Sequence, residues 1–387
     1  MGSQHRSEII MDNCIAVVGV GRMGKSIVDF LIAKDLKVIA VTRSEEQAEK
    51  LNRKWHKGLV SKQKYGVITA DKADEMAGQF FASSSMEVVA GADIIIESVY
   101  EDVEIKREVF SQVGKHIRKD AIVASNSSSI SPLELKNPSL DISRLVGLHF
   151  FFPVSVSNIV ELVTHETLAK DVYTRIDNFV THHGIVKVEQ GLNNAFLLNM
   201  LSMAVGGEAF RGAIKFGFSK ANELSKSEIF PLGVFSLFDH VGIPVILEAT
   251  MRYADHDPLE NKKSYEYLLT FMRVMADGEN HDMVFADIEY PCDLANWDGE
   301  VPPLYDNEDE FKQRLNYLHI NTCLFAVETG LIDKNILDKA IMAIMGTDKG
   351  PIQLASEIGH RKIQWALEVF YNEREATYYR PTSLLEY

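Results

Sequence analysis

Short apolar runs punctuate the first 150 residues: Cys14 to Val18, Leu36 to Val41, Ala92 to Glu97, Ala121 to Ala124 and Leu145 to Leu148. They are nearly continuous rather than alternating, the pattern of parallel strands covered on both faces. A helical pattern, Lys25 to Lys34, separates the first two. From Asn193 onward the pattern changes, with apolar residues recurring at three- and four-residue spacing, which predicts helices. The chain therefore reads as an α/β half followed by an all-α half. The helical half contains a self-similarity. Gly233 to Gly242 reads GVFSLFDHVG, Gly350 to Gly359 reads GPIQLASEIG, and at the same offset Asn199 pairs with Asn316 and Ala209 with Ala326. A duplicated helical unit explains this; two generic helix hairpins would be the alternative. The expected division is 12–190, 191–300 and 301–387, with the stretch 277–309, rich in Asp, Glu, Asn, Gly and Pro, as a surface connection.

Composition narrows the classes. The 387 residues are 46% hydrophobic, so the chain can bury a substantial core. A formal charge of -15 argues against nucleic acid as a partner. No apolar run approaches the roughly 20 residues that span a bilayer. The polar start, Met1 to Ile9, lacks a signal or transit pattern. Cys14, Cys292 and Cys323 are scattered, fitting a reducing, cytoplasmic compartment and no zinc site. Against the acidic background, Lys50 to Lys64 holds six Lys or Arg and no acid. It is a landing surface for a phosphorylated ligand, with Lys54 and Lys57 as candidates, or else a solvated helix face.

The first apolar run leads into Gly19-Val20-Gly21-Arg22-Met23-Gly24 and then the helical pattern. Strand, glycine loop, helix and strand in this order form the dinucleotide-binding fingerprint of a Rossmann-type domain. Gly19 permits the tight turn, Gly21 admits a pyrophosphate at the helix N-terminus, and Gly24 lets the helix pack closely on the strand. The second strand ends in Thr42-Arg43-Ser44 instead of the acid that holds a ribose 2′-hydroxyl. An arginine and two hydroxyls suit a 2′-phosphate, so NAD(P) is expected with NADP slightly favoured; Arg43 stacked on adenine is the other reading.

Further along come Val99-Tyr100-Glu101-Asp102 and Lys106, then Ser125-Asn126-Ser127-Ser128-Ser129 at a strand's carboxyl end. Open α/β sheets bind ligands there. His149 closes the next strand, and Glu161 follows within Ile159-Val160-Glu161-Leu162. A histidine at a strand end is an acid/base candidate, strengthened by a carboxylate that can orient it.

These stretches (GVGRMG, ADIIIESVYEDVEIKREVF, IVASNSSSI, GLHFFFPVSVSNIVELV and NAFLLN) resemble the 3-hydroxyacyl-CoA dehydrogenase family over Asn13 to about Gly242. The resemblance implies a Rossmann domain followed by 6-phosphogluconate-dehydrogenase-like helical domains. It implies His149 as the acid/base and Glu161 as its orienting partner. Ser128 and Asn199 would hydrogen-bond the substrate oxygen or the ring, and Asn126, Glu101 and Lys106 would contact the cofactor. Met23 falls within the glycine loop, and Lys54 and Lys57 would meet CoA phosphates. Relatives with one helical copy commonly dimerise through it, so a second copy makes a monomer feasible, with a dimer still open. Phe152 stands where the family has asparagine, and Thr42-Arg43 replaces its acid, although the resemblance itself favours NAD. The expected activity is interconversion of 3-hydroxyacyl-CoA and 3-oxoacyl-CoA. The alternatives are the same chemistry on an acyl-carrier-protein thioester or a free hydroxy acid, and an inactive cofactor-binding scaffold. No hydratase-type module is present.

Overall fold

The computed structural model describes residues 14–191, 196–255, 305–374 and 377–386, with a few positions between 258 and 285. The expected connection over 277–309 and Cys292 lie almost wholly outside the described residues. The chain divides into two compact units, Met1–Leu192 and Asn193–Tyr387.

The first unit is built on eight strands: β1 Cys14–Val18, β2 Lys37–Val41, β3 Phe80–Ser83, β4 Ile94–Glu97, β5 Ile122–Ser125, β6 Leu145–Phe150, β7 Ile159–Thr164 and β8 Val186–Gly191. Their order is β3-β2-β1-β4-β5-β6-β7-β8. All neighbours are parallel except β6 and β7, which run antiparallel. Side chains alternate across the sheet, so Ile15, Val17, Ile94 and Ile96 enter one apolar layer while Ala16, Val18 and Ile95 enter the other. Two buried faces explain why these strands read as unbroken apolar runs. The helices are α1 Arg22–Ala33, α2 Glu45–Lys64, α3 Ala70–Ala77, α4 Val103–Gly114, α5 Val154–Ser157 and α6 Lys170–His182. β3 and β8 were not read from the sequence. β3, Phe80–Ser83, has an exposed Phe81 and only four residues. β8, VKVEQG, is mostly polar.

The second unit is helical over its described residues: α7 Leu197–Met203, α8 Gly206–Phe216, α9 Phe218–Ser225, α10 Val234–Val241, α11 Ile243–Asp255, α12 Glu308–Glu328, α13 Lys334–Met345, α14 Pro351–Ile358 and α15 His360–Arg374. The two similar stretches run through matching elements. α10 and α14 begin and end 117 residues apart, as α11 and α15 begin, and Gly242 and Gly359 take matching φ angles of 100° and 98° between them. This supports duplication. Among the described residues no single helix is long and apolar enough to cross a membrane.

Candidate active site

The strand order reverses between β1 and β4, and the carboxyl ends of β1, β4, β5 and β6 deliver the candidate residues. At β1, Gly19 has φ of 92°, and a Cβ there would fall 2.7 Å from the Ser98 carbonyl oxygen. A Cβ on Gly24 would fall 1.9 Å from the Gly19 carbonyl oxygen, so helix and loop meet only with glycine. An added Cβ at Gly21 meets no protein atom within 4 Å. That space fits a ligand held against the loop. Met23 is half-buried and packs on the core. α1 has no side-chain cap and no acid in its first turn, whereas α2, α3 and α4 are capped by Ser44, Thr69 and Asp102. Its leading N–H groups and dipole therefore suit a diphosphate.

At the end of β2 the expected trio is split. Thr42 is buried and donates from Oγ1 to the Ser44 carbonyl oxygen at 2.9 Å. The Ser44 hydroxyl accepts from Gln47 N as the cap of α2. Arg43 alone extends from the trio, with an exposed side chain. Both hydroxyls are thus engaged with the backbone, and Arg43 makes no such bond among those described.

Glu101 does not stand as an isolated carboxylate. Its Oε1 accepts from Ser127 Oγ at 2.5 Å, Ser128 N at 2.9 Å, Ser129 N at 3.0 Å and Ser129 Oγ at 3.1 Å. Burial pushes its carboxyl upward, but Lys106 and the Ser127 and Ser128 donors outweigh that and hold it below the usual carboxylate range. Lys106 is 1% exposed and sits between Glu97 at 2.8 Å and Glu101 at 3.2 Å. Its ammonium is turned into the protein, which places it behind Glu101. Asn126, half-buried, accepts at Oδ1 from Phe150 N at 2.8 Å. It thereby ties the serine run to the strand that carries His149.

His149 and Glu161 are register partners across antiparallel β6 and β7. Nδ1 of His149 lies 2.9 Å from Oε2 of Glu161, the ring is 6% exposed and the carboxylate fully buried. The spacing of twelve residues thus follows from a strand, the short helix α5 and a returning strand. With Nδ1–H donated to the carboxylate, the tautomer places proton exchange at Nε2. Phe151 packs on the imidazole, ring centroids 4.3 Å apart. Phe152 is directed elsewhere: it is half-exposed, and the Arg22 guanidinium lies 4.3 Å over its ring. Val154 N donates to Ser26 Oγ on α1 at 3.0 Å, joining the segment after His149 to the glycine-loop helix.

Lys54 lines an apolar cleft of about 160 Å³ between α1 and α2, with Val28, Leu51 and Trp55 as walls, Lys62 as a further cation and Lys25 paired with Asp29. Lys57 is exposed on α2 and does not line it. Asn199 is on α7 in the second unit, half-buried. Sequence reasoning missed Glu97, hidden as the last letter of an apolar run. It also missed the pairing of Phe152 with Arg22, which no local pattern announces.

Comparison with known proteins gives a consistent picture. Residues 14–191 match the family model described as 3-hydroxyacyl-CoA dehydrogenase, NAD binding domain. The chain is 28% identical over 241 residues to 3-hydroxybutyryl-CoA dehydrogenase of Clostridioides difficile, covering 60% of this chain and 84% of that protein. It is 28% identical over 240 residues to the human mitochondrial hydroxyacyl-coenzyme A dehydrogenase, covering 59% and 76%. The crystal structure of 3-hydroxybutyryl-CoA dehydrogenase from Escherichia coli K12 superposes with a TM-score of 0.72, covering 97% of this chain and 98% of that one. At 17% identity this last likeness is one of fold, and it extends through the helical unit. The glycine loop and these matches together show that residues 14–191 are a 3-hydroxyacyl-CoA dehydrogenase NAD-binding domain, and that the chain is similar to such enzymes over about 60% of its length.

Proposed function

We propose that this protein is an NAD(P)-dependent oxidoreductase that interconverts 3-hydroxyacyl-CoA and 3-oxoacyl-CoA. The observation that carries the reading is the His149–Glu161 pair at 2.9 Å, set at strand ends in a nucleotide-binding sheet. The bound nicotinamide supplies the hydride acceptor or donor for C3. His149 Nε2 takes the proton of the 3-hydroxyl in oxidation and returns one to the forming alkoxide in reduction. Glu161 keeps Nδ1 protonated and offsets the imidazolium charge. Ser128, half-buried, is held by Glu101 and hydrogen-bonds the substrate oxygen. Asn126 orients the cofactor side of the site. The role of Asn199 in binding the substrate rests on the resemblance alone.

Arg43 is the residue that favours NADP over NAD, by charge pairing with a 2′-phosphate. The lysine-edged cleft at Lys54 favours a phosphorylated, CoA-type thioester over a free hydroxy acid. Matching helix boundaries support a duplicated helical unit, and hence a monomer that needs no partner copy. The unpaired Cys14 and Cys323 fit a cytoplasmic setting. The test is absorbance at 340 nm with acetoacetyl-CoA and either NADH or NADPH. Oxidation of NADPH at least as fast as NADH is expected. Oxidation of NADH alone would reject the role of Arg43, and oxidation of neither would reject the substrate.

A further inference from the structure

We propose that Glu97 is a positioning residue for hydride transfer: it fixes both ends of the segment that carries Ser128, directly through Ser125 and indirectly through Lys106 and Glu101. The inference rests on the dehydrogenase reading above and adds a residue to it. Glu97 is the last residue of β4 and is fully buried. Its Oε2 accepts from Ser125 Oγ at 2.8 Å, at the root of the serine run. Its Oε1 accepts from Lys106 Nζ at 2.8 Å and from Val99 N at 2.7 Å. Lys106 passes the constraint to Glu101 at 3.2 Å, and Glu101 grips Ser127, Ser128 and Ser129 through one oxygen. Ser127 N also donates to Ser125 Oγ at 3.3 Å, which closes the loop on itself.

Energetics argue that the arrangement serves geometry. β4 is otherwise Ile94, Ile95 and Ile96, and a fourth aliphatic residue would complete the strand without desolvating a charge. A buried ion pair adds little or nothing to stability compared with well-packed apolar groups. What the acid–base–acid chain adds is direction. Its two carboxylates and one ammonium leave one net negative charge, and the outer carboxylate, 20% exposed, spends it on the N–H groups of Ser128 and Ser129. An oxygen held by such charge-assisted bonds is placed to within tenths of an ångström, the tolerance that near-attack geometry demands.

The test uses the full-length protein, with kcat and KM for acetoacetyl-CoA and the preferred reduced nicotinamide, and with cofactor binding followed by nicotinamide fluorescence. Glu97→Gln, Ser128→Ala and the double variant are compared. Glu97→Gln is expected to lower kcat between about 10- and 100-fold, with cofactor binding within about twofold. In the Ser128→Ala background the same change should cost less than about threefold, because its effect passes through Ser128. Equal losses in both backgrounds, or weakened cofactor binding as the main effect, would overturn the inference. If Glu97→Gln does not fold, Glu97→Leu with Lys106→Met removes both buried charges. That folded pair should show the same loss of kcat, and wild-type kcat in it would also overturn the inference. An inactive wild type would sink the dehydrogenase reading itself; an active wild type with an equally active Glu97→Gln would sink this inference alone.

Discussion

Buried charge is used differently in the two units. In the first, Glu97 ends β4, Lys106 reaches it from α4, Glu101 lies between them in the chain, and His149 and Glu161 pair across β6 and β7; their hydrogen bonds lead to the serine run and the imidazole. In the second, Glu208 and Arg211 are both 1% exposed, bonded to each other at 3.0 Å, with Tyr305 donating to Glu208 at 2.5 Å. Arg314, 2% exposed, is held by Glu310 and Glu373 and lies 3.9 Å over the Phe370 ring. Glu208, Arg211 and Tyr305 bond to one another within the helical interior, and Arg314 reaches from it to the half-exposed Glu373. On the proposed function, the same chemistry aims a reacting group in one unit and fastens helices in the other, and the two uses should respond differently to substitution.

The largest contrast is expected at Glu208. Glu208→Gln leaves Arg211 buried beside a neutral partner and should cost about 3–5 kcal/mol of stability, read as a lowered melting temperature, with kcat of the folded fraction little changed. Loss of activity without loss of stability would place Glu208 in the site and blur the distinction. Glu161→Gln should do the converse, lowering kcat about 10²- to 10³-fold while the melting temperature moves much less. A third test exploits His319, fully buried on α12, whose pKa burial pushes down to about 4. The unfolded imidazole takes up a proton as pH falls below about 6.5 while the folded one resists it until about 4. Stability should therefore fall across that window, by up to roughly 3 kcal/mol, and His319→Leu should flatten the slope in denaturation at pH 7 and pH 4.5. An unchanged slope would show that His319 is not the group responsible. The smallest effect separates two lysines of one helix. Lys54→Ala should raise KM for the acyl-CoA about threefold, whereas Lys57→Ala, outside the cleft, should leave it within error.

The same comparison shows what could be read from the chain. β1, β2, β4, β5 and β6 were legible because burial on both faces writes a continuous apolar run. The glycine loop was legible because Gly19 and Gly24 answer steric demands no other residue meets. His149 and Glu161 were legible as a pair through their spacing, although the cause of that spacing, antiparallel register around α5, appears only in three dimensions. The pairing of Lys106 with Glu97 and Glu101 was not legible, because sequence does not reveal which way a long side chain turns. The backbone bonds of Thr42 and Ser44 were hidden for a related reason: a hydroxyl bonded to its own backbone looks the same in sequence as any other. The packing of Phe152 under the Arg22 guanidinium was not legible, because the two are 130 positions apart. In the helical unit the similarity of the stretches ending at Gly242 and Gly359 was visible, but the Glu208–Arg211–Tyr305 core joins residues about a hundred positions apart and leaves no local trace.

The central claim is that His149, steadied by Glu161, moves the proton that accompanies hydride transfer. It is tested most directly by measuring kcat and nicotinamide binding on the same preparation of His149→Ala. The account predicts that reduced cofactor still binds with near wild-type affinity while kcat falls at least about 10²-fold. Turnover within a fewfold of wild type, with the cofactor bound as before, would contradict it.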